Sequence, residues 1–513
     1  MPNPFADLPE PELVDVRDEA SARPALERFG EAVWEEALHY LYTIAGERPL
    51  RTLPYPEMRR AFFGPSGEPA PAPANAAKSA DVLSEFRERV APWVFNTQHP
   101  GSYSYFTPPP LPMSIAGEVL AQWVNQGVDV WVAGPVGALV EEEVTTWLRT
   151  LTGFGEGSWA VLTSGGVMAN IMALTVARDV HLARLLDVDA PPRGSALEGV
   201  RVYASDQAHF SIGRALDELG FPSDTLAVVP ADEDFRLRGD AVAEAIGRDR
   251  AAGLMPIAIA AVAGATNTGS VDAIRELAEL AAREGLWLHI DAAYAAAARL
   301  SRRDADRVAD LERADSVTVD PHKWLFQAYD IGGLVVRDGS VLEQAFGGRR
   351  PEYYRAGHGP DARNSHPPSG DGHGAPDKLN FWRLGFEGTR RWRALKLWLS
   401  WKHIGSEGLG RLVEANIDLA RHLAARIAAS DDFEALPAEP WLSVVCFRHL
   451  PAGRPGPEAG TPAGTALDAH QDRLQLALEA SGEGWLSTTR LRGATYLRAG
   501  ILNTQSTDRK SVV

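Results

Sequence analysis

The stretch Asp315-Ser316-Val317-Thr318-Val319-Asp320-Pro321-His322-Lys323-Trp324 combines a buried strand with a lysine just past its end. Ser316 to Val319 is apolar and β-branched, which favours a strand, and Pro321 stops it because proline cannot donate to a sheet. In an open α/β sheet, ligands bind beyond the carboxyl ends of the strands, where a partly desolvated lysine can form a Schiff base. The alternative is a solvated surface lysine, and this stretch alone does not decide between the two.

The length and the pattern of the chain predict a large α/β protein. Its 513 residues suffice for a large domain and a smaller one, and 45% hydrophobic with 23% charged residues is typical of globular proteins. Between residues 101 and 340, short apolar runs alternate with helical patterns, which is typical of βαβ units and a mostly parallel sheet. The predicted strands are Trp159 to Thr163, Arg201 to Ala204, Ile257 to Gly264, Leu286 to Asp291, Ser316 to Val319 and Gly333 to Val336.

We expect three regions along the chain. Residues 1–100 contain helical patterns but too little core for a domain, so they should pack on the main body or on a partner subunit. Residues 101–388 form the large α/β domain, including a long Gly- and Pro-rich loop at 346–376. Residues 389–513 form a small α+β domain, with a long helix, a strand at Trp441 to Phe447, a further helix and two final strands.

Charge and composition exclude some functions. The formal net charge of −17 argues against nucleic-acid binding, which needs a basic face. No stretch is long and apolar enough to span a bilayer, and the N-terminus lacks the features of a signal peptide. The single cysteine, Cys446, suits a reducing compartment, so we expect a cytoplasmic protein.

Two further predicted strands bring polar residues to the edge of the sheet where Lys323 lies. Asp291 ends one of them; beside Lys323, it suits a heteroaromatic cofactor held at its aldehyde by the lysine and at its ring nitrogen by the carboxylate. For Asp291 alone, helix capping or metal binding is an equal alternative. His209 follows another strand and can stack on such a ring, although a lone histidine is usually structural.

A phosphate site is predicted where the strand Trp159 to Thr163 gives way to a helix. Ser164, Gly165, Gly166 and Val167 open that helix, whose first N–H groups and dipole favour an anion. The alternative is a tight strand-to-helix turn that binds nothing.

Four motifs together resemble the pyridoxal-phosphate-dependent group II amino-acid decarboxylases, the aromatic-L-amino-acid decarboxylase family. The resemblance runs from about Arg48 to Asn503 and implies the fold type I architecture of pyridoxal-phosphate (PLP) enzymes and a homodimer with shared active sites. The motifs are Thr163-Ser164-Gly165-Gly166, Ser205-Asp206-Gln207-Ala208-His209, Asp291-Ala292-Ala293-Tyr294 and Asp320-Pro321-His322-Lys323-Trp324.

The resemblance implies a role for each matching residue. Lys323 forms the internal aldimine, and Asp291 pairs with the protonated ring nitrogen, which makes the cofactor an electron sink. The other implied cofactor contacts are His209 and Ala293 on the two ring faces, Thr266 beside the ring, Ser164, Gly165, Gly166 and Val167 at the phosphate, and His322 near it.

The resemblance also implies a catalytic tyrosine on the long loop. Tyr353 matches the residue that returns a proton to the substrate carbon, reaching into the partner subunit's site, and Tyr354 is the alternative. Phenylalanine at this position marks family members that oxidise amines to aldehydes, so a tyrosine favours simple decarboxylation. Without the resemblance, surface packing is the preferred interpretation of both tyrosines.

The substrate pocket departs from the family pattern. Tyr105 and Phe106 match its aromatic residues, but Asp129, near Trp131, stands where aromatic decarboxylases place a ring. A carboxylate there suits a hydroxylated or cationic side chain better than a plain ring. Val167 also replaces a common hydroxyl residue at the phosphate.

We therefore expect decarboxylation of an L-amino acid, of the tyrosine, DOPA or tryptophan type, to its amine and carbon dioxide. Alternatives are an amine-oxidising aldehyde synthase, an aminotransferase, a decarboxylase of acidic or diamino acids, and a non-catalytic protein on the same fold. The spacing of His358, His366 and His373 fits no zinc signature, so no metal is predicted.

Overall fold

The computed structural model describes residue 10 and residues 15–43, 47–348 and 379–508. Its main sheet is built from mostly apolar segments, and its strands other than the edge strand β3 are largely buried. The strands are β1 Trp159–Thr163, β2 Val200–Ser205, β3 Leu226–Val229, β4 Met255–Val262, β5 Trp287–Asp291, β6 Ser316–Val319 and β7 Gly332–Val336.

These strands lie in the order β1-β7-β6-β5-β4-β2-β3. Strands β2 to β6 are parallel, while β7 is antiparallel to both β6 and β1. Because β7 is antiparallel to both of its neighbours, β1 and β6 point in the same direction. The carboxyl ends of β1, β2, β4, β5 and β6 therefore meet at one edge of the sheet, as expected for a ligand site.

Helices complete the rest of the fold. In chain order they are α1 Glu19–Thr43, α2 Tyr55–Phe63, α3 Ser79–Glu85, α4 Pro112–Val124, α5 Pro135–Thr152, α6 Gly166–Val176, α7 Ala183–Leu186, α8 Ser211–Glu218, α9 Gly239–Ala251, α10 Ile274–Glu284, α11 Ser340–Phe346, α12 Ala394–Ala428 and α13 Pro462–Ser481.

Two apolar cores lie on the two faces of the main sheet. Along β4, Ala258 and Ala260 belong to one core, whereas Ile259 and Ala261 belong to the other. Burial on both sides explains why the parallel strands read as continuous apolar runs rather than as alternating ones.

A second, antiparallel sheet follows in the C-terminal region. Its strands are β8 Phe433–Ala435, β9 Val444–His449, β10 Ser487–Leu491 and β11 Ala494–Gly500, in the order β10-β11-β9-β8. The long helix α12 packs against this sheet and against α4, so it joins the two regions. The boundaries at residues 100 and 388 remain our proposal for the division into domains.

The predicted strands of the main sheet match the structure apart from their ends. The short strands β3 and β8 and the helices α2, α4, α5 and α9 were not singled out from the sequence. The predicted strand at Trp441 to Phe447 is wrong at its start, since β9 begins at Val444. Trp441 instead donates from its indole to the Arg307 carbonyl at 3.1 Å and anchors a loop. None of the helices in the described ranges has the length and apolarity needed to cross a membrane.

Candidate active site

Lys323 lies one turn beyond the end of β6, at the edge where the parallel strands meet. Its backbone N–H donates to the Asp320 carbonyl at 2.9 Å, which closes a tight turn after the strand. The lysine side chain is 23% exposed, and its Nζ lies 3.2 Å from Oδ2 of Asp320, whose side chain is 2% exposed. A solvated surface lysine is thereby excluded, because the amine is enclosed and held by a buried carboxylate.

Asp291 is the last residue of β5 and lies opposite Thr318 of β6 in the sheet. Both oxygens of its buried carboxylate accept hydrogen bonds: Asn170 Nδ2 donates to Oδ2 at 2.8 Å, and the Ala293 N–H donates to Oδ1 at 3.2 Å. No lysine or arginine in the described part of the chain forms an ion pair with Asp291. Its charge is therefore available to a cationic group of a ligand.

His209 lies between β2 and α8, and its Nδ1 is 2.7 Å from Oγ of Ser211. Burial lowers the pKa of His209, while the nearby Asp291 carboxylate opposes that shift and Lys323 adds to it. Asn170 Nδ2 donates both to this Ser211 hydroxyl and to Oδ2 of Asp291, each at 2.8 Å, so His209 and Asp291 lie at one site. A neutral imidazole can lie against an aromatic ring without the cost of burying a charge.

The turn between β1 and α6 closely approaches the segment from Asp320 to Lys323, here called the lysine loop. A Cβ added at Gly165 would lie 3.2 Å from Cε1 of His322, and one at Gly166 would lie 2.9 Å from Oδ2 of Asp320. The two glycines therefore let the N-terminus of α6 come up against the lysine loop. Exposed N–H groups at the start of this helix suit a phosphate group.

His322 stands beside the glycine turn with a defined tautomer. Its Nδ1 lies 2.7 Å from the carbonyl oxygen of Ile331 and must donate to it. Burial lowers the pKa of His322, while the Asp320 carboxylate, whose Oδ2 lies 3.7 Å from Nε2, opposes that shift.

The remaining residues predicted to contact the cofactor differ in how far they are buried. Ala293 is buried, and its Cβ is 3.4 Å from where a Cβ of Gly166 would lie. Ser164 and Val167 are partly buried on the turn itself. Thr266 is exposed on the loop after β4.

An aromatic column joins Phe106, of the predicted substrate pocket, to Trp324 in the core. Phe106 stacks on Tyr294 with ring centroids 4.4 Å apart, and Tyr294 stacks on Trp324 at 4.6 Å. Tyr294 belongs to the motif that begins at the end of β5, and Trp324 directly follows the lysine. Tyr105 is 60% exposed and contacts Trp485 edge to face, with centroids 5.1 Å apart.

Asp129 and Trp131 lie elsewhere. The N–H of Trp382 donates to the Asp129 carbonyl at 3.2 Å, and the N–H of Trp131 donates to Oδ1 of Asn380 at 3.0 Å. Among the described residues, no hydrogen bond, ion pair or ring contact links Asp129 or Trp131 to Lys323. The sequence grouped all four pocket residues together, whereas in the structure the Tyr105–Phe106 segment and the Asp129–Trp131 segment have different neighbours: Phe106 lies against Tyr294 and Arg498, and Asp129 contacts Trp382.

Other predicted residues cannot be placed. The two loop tyrosines and the three loop histidines lie outside the described residues: Tyr353, Tyr354, His358, His366 and His373. Within the part of the chain that is described, no three His, Cys, Asp or Glu side chains cluster as metal ligands do.

Three residues of the site escaped prediction. Asp320 was part of the opening stretch but received no role. Asn170 lies four residues after Gly166, on the same face of α6, and that spacing was its only signal. Arg498 is 5% exposed within β11, and the signal for it was a lone guanidinium inside an otherwise apolar strand.

Arg498 reaches from the C-terminal sheet to the pocket. Its Nε donates to the Thr266 carbonyl at 2.7 Å, its Nη1 donates to the Ser104 carbonyl at 2.8 Å, and its guanidinium lies 4.8 Å from the Phe106 ring centroid. Nη2 is buried without a hydrogen-bond partner, and no carboxylate in the described ranges pairs with this charge. The arginine can therefore receive an anionic group of a ligand.

Comparison with known proteins agrees with this geometry. The family model described as the pyridoxal-dependent decarboxylase conserved domain matches residues 65–450. An aromatic-L-amino-acid decarboxylase of Bacillus atrophaeus is 32% identical over 436 residues, which cover 85% of this chain and 84% of that protein. An L-2,4-diaminobutyrate decarboxylase of Acinetobacter baumannii is 30% identical over 415 residues, 79% of this chain and 76% of the other. The solved structure of Oryza sativa TDC with PLP and tryptamine shares the fold, with a TM-score of 0.83 at 24% identity over 94% of this chain and 95% of that one.

The mostly parallel sheet, with a lysine and an aspartate at adjacent strand ends, is that of a fold type I PLP enzyme. The chain belongs to the pyridoxal-dependent decarboxylase family. Its cofactor is pyridoxal 5′-phosphate, and it is a carboxy-lyase acting on amino acids, so the predicted fold, family and cofactor are confirmed. The residues present fit this cofactor, because the open glycine turn, the uncompensated Asp291 and the enclosed Lys323 meet the needs of its phosphate, ring nitrogen and aldehyde.

Proposed function

We propose that the substrate is an aromatic L-amino acid of the tyrosine, DOPA or tryptophan type, which is converted to its amine and carbon dioxide. The partly buried Phe106 carries this proposal, because its ring is backed by the buried rings of Tyr294 and Trp324 and offers an apolar aromatic surface to a substrate. The similarity to the Bacillus atrophaeus enzyme supports the same substrate class.

Each residue at the sheet edge has a proposed task. When bound, the cofactor supplies an electron sink for the pair of electrons left as carbon dioxide departs. Lys323 would hold the cofactor, and Asp320, 3.2 Å from its Nζ, would stabilise the protonated form of the lysine amine. Asp291 keeps a proton on the ring nitrogen, and the neutral His209 lies against the ring.

We propose that Arg498 receives the carboxylate of the substrate. Its buried charge lacks a partner within the described residues, and an uncompensated charge of this kind is costly unless a ligand pairs with it. Because it lies over Phe106, the arginine would fix the carboxylate relative to the aromatic wall.

A diamino acid is the second candidate substrate. Asp129 favours it, since a carboxylate can pair with an ammonium group, and one relative is an L-2,4-diaminobutyrate decarboxylase.

A homodimer with shared sites is part of the proposal. In the single chain, α4 exposes Val119, Leu120 and Trp123, and α5 exposes Val136 and Leu139, each by 48% or more. Two consecutive helices with such apolar faces favour burial against another copy.

The dimer would also give Asp129 and Tyr353 a role in an active site. Asp129 contacts residue 382, shortly after the stretch that includes Tyr353, and it does not contact the lysine cluster of its own chain. We propose that both residues serve the site of the other subunit. A cytoplasmic location remains a prediction from the sequence.

The test measures carbon dioxide and amine released from aromatic, diamino and acidic L-amino acids by the purified enzyme, and by its Asp129→Asn variant. We expect turnover of aromatic substrates, with hydroxylated rings affected most by the substitution. If only diamino acids react, and Asp129→Asn abolishes that reaction, the second candidate is correct. If ammonia and peroxide accompany an aldehyde, the protein is an amine-oxidising aldehyde synthase.

A further inference from the structure

We infer that Asn170 is a positioning residue that fixes the carboxylate of Asp291 and, through Ser211, the imidazole of His209. This inference rests on the roles proposed above for Asp291 and His209, and it adds the group that sets their orientation. Asn170 lies on α6, the helix that begins at the glycine turn, and its side chain is fully buried beneath the site.

The Asn170 amide uses its whole hydrogen-bonding capacity. Its Nδ2 donates to Oδ2 of Asp291 at 2.8 Å and to Oγ of Ser211 at 2.8 Å. Its Oδ1 accepts from Oγ1 of Thr318 at 2.6 Å and from Nε2 of His289 at 3.0 Å. An amide offers two donors and two acceptor positions, so all four are satisfied.

The orientation of this amide is forced by its neighbours. An ionised Asp291 can only accept, so a flipped amide would place oxygen against oxygen at 2.8 Å. Burial lowers the pKa of His289 to about 4, so this histidine is neutral and has one N–H to donate. The Trp287 indole donates to Oγ of Ser316 at 3.0 Å, which leaves the Ser316 hydroxyl to donate to Nδ1 of His289 at 2.9 Å. The N–H of His289 is therefore on Nε2 and points to Asn170.

The Asn170 side chain thus links β5, β6 and the start of α8. Ser211 accepts from Asn170, so its own hydrogen is free to donate to Nδ1 of His209, 2.7 Å away. That places the proton of the neutral His209 on Nε2 and restrains the ring. Asp291 in turn has Oδ2 fixed by Asn170 and Oδ1 by the Ala293 N–H, which holds the carboxylate in one orientation. A buried hydrogen-bond network that is only partly satisfied is costly. Loss of the Asn170 amide should therefore loosen both Asp291 and His209.

The first test replaces Asn170 by Ala in the holoenzyme and measures the PLP dissociation constant and the pH titration of the visible absorption of the cofactor. Losing one hydrogen bond to a buried charge should weaken PLP binding roughly 10- to 100-fold. The absorption titration should also shift, because a mobile Asp291 no longer holds the ring nitrogen in one protonation state.

Gln471→Ala is the matched control. Gln471 is another fully buried amide, which bonds both backbone groups of His449 at 3.0 and 2.8 Å in the C-terminal sheet. Its loss should lower thermal stability but leave PLP affinity and the absorption titration of the stable holoenzyme unchanged. The inference is overturned if Asn170→Ala behaves as Gln471→Ala does.

A second test keeps the shape of the Asn170 side chain but replaces its amide by a carboxyl group. Asn170→Asp places a carboxyl group 2.8 Å from Asp291, with His289 and His209 as the other titratable groups nearby. When protonated, the new group can donate to Asp291 as the amide did; when ionised, the two carboxylates repel each other. The loss of PLP affinity should therefore grow as the pH rises, and a pH-independent loss would contradict a positioning role.

Individual hydrogen bonds of the network can be removed one at a time. Ser211→Ala should disturb His209 and leave the absorption titration governed by Asp291 close to that of the wild type, whereas Asn170→Ala changes both. If the wild type binds PLP and Asp291→Asn abolishes its activity but no Asn170 variant changes the titration, this inference alone fails. If Asp291→Asn leaves the holoenzyme fully active, the proposed function fails with it.

Discussion

Replacing Gly166 by Ala should damage the cofactor site through one contact. The added Cβ would lie 2.9 Å from Oδ2 of Asp320 and 3.4 Å from Cβ of Ala293. The Asp320 oxygen cannot retreat easily, because its side chain is 2% exposed and the same oxygen lies 3.2 Å from Nζ of Lys323. Overpacking a filled interior costs about 1–3 kcal/mol.

That cost should appear as weaker cofactor binding as well as lower stability. If the side chain of Asp320 turns away, Lys323 loses its counter-charge, and we expect PLP affinity to fall about 10-fold, which corresponds to roughly 1.4 kcal/mol. The assay compares denaturant unfolding of the apoprotein with PLP titration followed by absorbance.

Gly247→Ala is the control for the substitution itself. Gly247 lies inside α9, and a Cβ there would meet nothing within 4 Å. Alanine in a helix interior should stabilise the protein by up to about 1 kcal/mol and leave PLP affinity unchanged. The reasoning is refuted if Gly166→Ala binds PLP as tightly as the wild type, or if Gly247→Ala weakens binding equally.

Three further substitutions test other parts of the account. Val167→Ser should tighten PLP binding several-fold at equilibrium, because it returns a hydroxyl to the first turn of α6; unchanged affinity would place the phosphate elsewhere. His289→Gln tests a pH effect: since burial lowers the pKa of His289 to about 4, from about 6.5 when unfolded, its contribution to stability is present above pH 6.5 and is lost as the pH falls towards 4, by about 3 kcal/mol in total. Unfolding of the variant apoprotein should show a flatter acid limb, and an unaltered slope would contradict this. Tyr353→Phe should raise aldehyde and peroxide relative to amine in product analysis, and an unchanged product ratio would remove Tyr353 from proton return.

The sequence predicts the centre of the site better than its surroundings. Lys323, Asp291 and the glycine turn each follow a predicted strand, and the direction of parallel strands alone brings such positions to one edge. Long apolar runs made those strands easy to find. The strands β3 and β8 are edge strands of only four and three residues, too short for a local pattern to show.

Residues that act by side-chain contact across the fold were harder to predict. Asn170 and Arg498 reach their partners from a helix and from a second sheet, and no local pattern shows which distant residue each will contact. Asp129 is the opposite case. Its position in the sequence matches a pocket residue of the family, but in the structure it contacts Trp382 and not the lysine of its own chain. Sequence spacing determines neighbours along one element, while contacts between elements depend on packing.

The most direct test of the account is to find the lysine that carries the cofactor. The holoenzyme is reduced with borohydride and digested, and the peptides are examined by mass spectrometry for a covalently attached pyridoxyl phosphate. We expect the label on Lys323. Lys396 is the internal comparison, because it is 1% exposed but donates to the Asp330 carbonyl at 3.0 Å and pairs with Glu118. A label on Lys396 or any other lysine, or none on Lys323 in protein that contains PLP, would contradict the central claim.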